Sequence, residues 1–83
     1  MKKANKVKSE DIDGLTLSIC KTTHFYDVII EGDMSVLNYL KIQLNVDSDI
    51  QEKGIYGKSI LVLDTCDNIM DADYLFKEYK KRI

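Results

Sequence analysis

Ser59-Ile60-Leu61-Val62-Leu63-Asp64 is the stretch whose reading decides the fold. Four apolar residues follow one another without alternation, as in a central strand buried on both faces. Asp64 closes the run, and residues 65–68 are polar and turn the chain. Ala72, Leu75, Phe76, Tyr79 and Ile83 then recur at helical spacing, which predicts a helix over 70–82. Asp71 and Asp73 fall in its first turn, with Lys77, Lys80, Lys81 and Arg82 near its end. That is the order the helix dipole favours, so the basic end has a structural explanation.

Upstream, Val36, Leu37, Leu40 and Leu44 predict a first helix over 34–45, with Asp33 as its N-cap. A polar loop over 45–53 follows, and 54–58 extends or leads into the buried strand. Before the first helix, 25–31 reads as a strand with Tyr26, Val28 and Ile30 on one face. Leu15, Leu17 and Ile19 alternate with polar residues in another strand, and the polar break at 21–24 joins the two as a hairpin. The expected fold is a small α/β (α+β) domain over 12–83, in the order β-β-α-β-α, preceded by a flexible basic arm over 1–11. A right-handed helical crossover would make the second and third strands parallel. The sheet is then mixed, with both helices on one face. Cys20, Tyr26, Ile29 and Tyr56 are expected to line the other face, which needs cover.

With 83 residues the chain holds one domain. A chain of this size buries roughly 60–65% of its unfolded surface, so grooves and flat surfaces are easier to build than deep clefts. No apolar segment follows the Met1-Lys2-Lys3 start, and no run approaches the ~20 residues of a membrane span. A soluble cytoplasmic protein without a membrane partner is expected. Cys20 and Cys66 read as buried, reduced thiols in that compartment. Scarce Ala and Arg and absent Pro are the skew of an AT-rich genome, a low-GC microbe or one of its mobile elements.

The net charge of −2 hides a pattern. Residues 1–10 carry Lys2, Lys3, Lys6 and Lys8 against Glu10, a net +3, and residues 77–83 are also +3. Residues 11–76 carry four lysines against twelve acids, a net −8. Such a body repels phosphate, so nucleic acid is not an expected partner despite Phe25, Tyr26, Tyr56 and the N-terminal lysines.

Three motifs carry residue types suited to chemistry. Gly54-Ile55-Tyr56-Gly57-Lys58-Ser59 ends like a phosphate-binding loop, but only two residues separate its glycines and it leads into a strand. Asp64 and Asp67 have the chemistry for Mg²⁺, but no phosphate-binding loop accompanies them, and helix capping accounts for the acids around them. Cys20 and His24 straddle a hairpin bend with no orienting third group. No catalytic constellation, metal site or cofactor is expected.

The run Ile60-Leu61-Val62-Leu63-Asp64, followed by Ile69-Met70-Asp71-Ala72-Asp73-Tyr74-Leu75, resembles the core of STAS domains, the family of the anti-sigma-factor antagonists. Val28-Ile29-Ile30-Glu31-Gly32-Asp33 is similar to the strand before that family's first helix, and the likeness covers about 15–82. Asp71 matches the signature aspartate, while Ala72 stands at the phosphorylatable serine and Asp73-Tyr74 replace Ser-Gly. The resemblance implies a version of the fold shortened at its C-terminus, without phosphorylation switching at that position. Asp13-Gly14-Leu15-Thr16-Leu17 is also similar to the N-terminal domain of septum-site inhibitors. Both resemblances imply domains that act by touching other proteins.

The expectation is a non-enzymatic regulatory protein-binding module. Its partner is another protein, contacted through Asp67, Asp71, Asp73 and Tyr74, and homodimers are expected because a one-sided sheet readily pairs. The alternative is a small acidic inhibitor, of the kind mobile elements encode, occupying a nucleic-acid-binding surface of its target. That reading requires the twelve central acids to line one face.

Overall fold

The structure, a computed structural model, describes residues 5–52 and 58–83. Its first element is strand β1 (Asn5–Ile12), so residues 5–11 of the expected flexible arm 1–11 belong instead to the sheet. Asp13 and Gly14 then reverse the chain with φ of 49° and 84°. Two successive positive φ values define the hairpin turn whose twist matches its flanking strands, and they set Ile12 opposite Leu15 at the start of β2 (Leu15–Lys21). β1 escapes a periodicity reading because only Val7 and Ile12 are apolar in it. It is held by the ladder to β2 and by ion pairs: Lys6 Nζ to Glu31 Oε1 at 2.8 Å, Lys8 Nζ to Asp73 Oδ1 at 2.8 Å, and Lys80 Nζ to Glu10 Oε1 at 2.9 Å.

β3 (Tyr26–Gly32) pairs antiparallel with β2 as the alternation predicts. After it comes α1 (Met34–Gln43), then the two-residue β4 (Gln51–Glu52), β5 (Ser59–Cys66) and α2 (Ile69–Arg82). The sheet order is β1-β2-β3-β5-β4, and every neighbouring pair is antiparallel. The expected parallel pairing of β3 with β5 is therefore corrected, and the sheet is antiparallel rather than mixed. Both β3 and β4 run antiparallel to β5, so β3 and β4 point the same way. The helical crossover exists, but it lands one position further out, on β4. The chain then reverses and β5 fills the gap. The α+β class with two helices stands, in the order β-β-β-α-β-β-α.

Both helices cover one face. Leu37 and Leu40 of α1 and Ala72 and Phe76 of α2 share a single core with Leu15, Leu17, Ile19, Val28, Ile30, Leu61 and Leu63. Phe76 is the largest fully buried side chain among the described residues, and its burial is worth about 2–3 kcal/mol. Tyr26 packs against this core, not on the opposite face where it was expected. Cys20 and Ile29 do lie on the helix-free face, with Thr16, Ser18, Asp27 and Glu31, by the strict alternation of strands. Tyr56 lies outside the described residues. Small and polar groups shelter that face: Ser9 and Ser18 hydroxyls share a hydrogen bond of 3.1 Å, and the Lys6–Glu31 pair reaches across it. The hydrogen bond to Glu31 raises the Lys6 ammonium above its ordinary value.

Two local expectations are also corrected. Asp33 occupies the N-cap of α1 in extended conformation, but its carboxylate makes no capping hydrogen bond. Its backbone carbonyl accepts from Leu37 N–H at 3.0 Å. Asp64 does not end the buried strand. The β3–β5 register shifts between Val28 and Ile29, setting Val28 opposite Asp64, and β5 continues to Cys66. Thr65 Oγ1 donates to Asp27 Oδ1 at 2.9 Å beyond the bulge and holds the extra residues in the sheet.

Candidate functional site

The start of α2 is built by Asn68. Its Oδ1 accepts from the Asp71 backbone N–H at 2.9 Å, and its Nδ2 donates to Asp71 Oδ2 at 3.1 Å. The side chain thus satisfies one of the helix's unpaired donors and fixes the Asp71 carboxylate. The helical repeat of about 3.6 residues per turn then decides what each neighbour does. Ala72 and Phe76 point into the core, while Met70 and Tyr74 lie on the outer stripe, 79% and 64% exposed. Ile69 adds a further exposed edge.

Asp67, Asp71 and Tyr74 come together as expected, around a shallow hollow of about 370 Å³ that Asp64, Cys66 and Leu75 also line. Among the described residues Asp67 has no hydrogen-bond or ion-pair partner, so its carboxylate is available to a ligand. Asp73 is not part of this group. It faces β1, where it accepts from Lys8 Nζ at 2.8 Å and lies 3.3 Å from Lys77 Nζ. The Lys8 hydrogen bond, then that of Lys77, holds its carboxyl below the usual range. Asp73 lines a second hollow with Val7, Lys8, Ile19, Ile69 and Met70.

Burial pushes the Cys66 thiol up, and Asp64, Asp71, Asp27 and Asp67 push it further. A thiol so surrounded holds its proton, the opposite of what a nucleophile requires. Burial likewise raises the Tyr79 phenol, which donates to the Leu63 carbonyl at 3.3 Å and anchors α2 to β5. Cys20 and Cys66 are both buried, on opposite faces of the sheet, and form no disulfide. His24 is exposed and edge-on to Phe25, with ring centroids 6.3 Å apart. Among the described residues no group of three His, Cys, Asp or Glu side chains is placed to hold a metal ion. Of the glycine-containing motif, residues 54–57 lie outside the described residues, and Ser59 is buried at the start of β5.

Two features escaped the sequence reading. Met70 belongs with Tyr74, four residues away and off the Ala72–Phe76 stripe; that spacing was the available signal. On α1, Val36, Tyr39 and Ile42 form a second exposed apolar row, with Ile42 81% exposed. Helical spacing puts Val36 on the core stripe, but it stands exposed in this outer row.

Among the described residues no helix is long and apolar enough to cross a membrane. No protein-family model, curated protein or solved structure matches this chain.

Proposed function

We propose that the protein is a non-enzymatic regulatory module of the cytoplasm that binds another protein through the start of α2. The observation that carries this reading is the exposure of Met70 and Tyr74 on one stripe of α2, with Tyr74 beside Asp67, which has no side-chain partner among the described residues, and Met70 beside Asp73. Two large adaptable side chains rimmed by carboxylates suit a partner surface with an apolar pocket and basic surroundings. The likeness to STAS domains, which work by touching other proteins, supports the same reading. Ala72, at the position of that family's phosphorylatable serine, is fully buried.

The nucleic-acid reading weakens at the lysines, since Lys6, Lys8 and Lys80 are already paired with carboxylates of the same chain. The acidic-inhibitor reading lacks a continuous face. Asp27, Asp64, Asp67 and Asp71 gather near Cys66, while Asp11, Asp13, Glu31 and Asp33 lie toward the other end of the sheet, by the strand register.

Affinity capture from the native cell's lysate with nuclease present tests the proposal. The native chain is the bait, beside Asp67→Lys, Met70→Ala with Tyr74→Ala, and Ile42→Lys as a control for the α1 row. A protein retained by the native chain and lost with the first two baits is the expected result. Loss only with Ile42→Lys moves the surface to α1. Recovery that collapses with nuclease overturns the protein-binding reading.

A further inference from the structure

The outer edge of β1 carries an order of charge that fits a second copy of itself. β1 is the terminal strand of the sheet, and no other element among the described residues pairs with its outer side. Lysines on edge strands ordinarily prevent pairing by standing over the edge. Here the Lys6 and Lys8 ammonium groups are tied back at 2.8 Å to Glu31 and Asp73 of their own chain. They lie over the two faces of the sheet and leave the edge uncovered.

The charges run in a fixed direction. Lys6 and Lys8 occupy the first half of β1, and Glu10 and Asp11 the second. On the helix-covered face α2 runs beside it with the reverse order: Asp73 beside Lys8, and Lys80 beside Glu10. Two copies related by a two-fold axis at Ser9 would set Lys8 opposite Glu10 of the partner subunit, on the same face, and the reverse at the other end. The antiparallel pairing is then complementary along the edge, whereas a parallel pairing would set like charge on like charge.

We propose that the protein forms a two-fold homodimer by antiparallel pairing of β1 with β1 of a second copy, joining two five-stranded sheets into one. Main-chain hydrogen bonds along the edge supply affinity, and the charge order selects direction and register. This goes beyond the partner-binding reading and stands whether or not that reading holds.

Sedimentation velocity on the full chain tests it. The native protein is expected at twice its 9.6 kDa chain mass. Lys8→Glu and Glu10→Lys each place like charges across the two-fold and are expected to halve the mass, with circular dichroism recording that each remains folded. An equimolar mixture of the two variants restores opposite charges at both ends and is expected to recover the dimer. A native chain that stays monomeric at millimolar concentration overturns the proposal, as do variants that remain dimeric. Should either variant unfold, nuclear Overhauser contacts in a half-labelled native sample decide: contacts between β1 strands of two copies support the pairing, and a dimer without them sinks it.

Discussion

Gly32 is required for its missing side chain. It is buried at the end of β3, and a β-carbon there would collide with the Leu15 side chain across the sheet. Leu15 is itself buried in the core, so the end of its side chain could yield only by shifting against the residues packed round it. Gly32→Ala is therefore expected to destabilise the protein by about 1–3 kcal/mol, the usual cost of overpacking; urea unfolding followed by circular dichroism measures it, and an unchanged midpoint would refute the close approach. At this scale the sequence is only partly readable. Gly32 looks like a strand terminator, because a close approach between distant residues leaves no local signal. Asp13-Gly14 did carry the hairpin signal. It went unused because the strand before it has too few apolar residues to register as one.

Elements were legible where burial writes a period. The stripes of β2, β3 and α2 match the observed elements with nearly correct bounds, since each sets an apolar row against the common core. β1 did not, because it is stabilised by ion pairs with residues far along the chain. Those pairs have a pH signature. Asp73 is held below its ordinary value of 3.8 by Lys8 and Lys77. A carboxyl lowered in the folded state stabilises the protein above its unfolded pKa, and that contribution disappears as pH falls through the folded value. Asp73→Asn is expected to flatten the acid limb of a thermal-melt series below about pH 4, leaving the alkaline limb unchanged. A variant whose melting temperature follows the native curve throughout the acid range would show that the β1–α2 contact adds nothing to stability. The candidate site divides along the same line. Asp67, Asp71 and Tyr74 were found together because they are close in sequence. Asp73 was grouped with them by proximity, although one residue of helix rotation turns it toward β1.

For the whole molecule, one core on one side of one sheet decides stability. A chain of this length has about 4–12 kcal/mol to lose, and Phe76→Ala removes about 3–5 kcal/mol of it. That variant is expected to unfold at a much lower urea concentration than the native chain, as read by circular dichroism; a small shift in midpoint would mean that the core repacks around the gap. The strand order was the least legible property. Helical periodicity between two apolar runs signals a crossover, but not whether the next strand is adjacent. Here a two-residue strand takes the outer place, too short to leave a pattern.

The place of β5 between β3 and β4 has a consequence for synthesis. The strand made after all the others is the one that sits inside the sheet. While the chain emerges from the ribosome, β1, β2 and β3 can close as a meander, but β3 presents a bare inner edge until residues 59–66 have cleared the exit tunnel. During that interval the Val28-Ile29-Ile30 segment is open to capture by any other extended chain, so the aggregation hazard lasts until β5 has docked between β3 and β4.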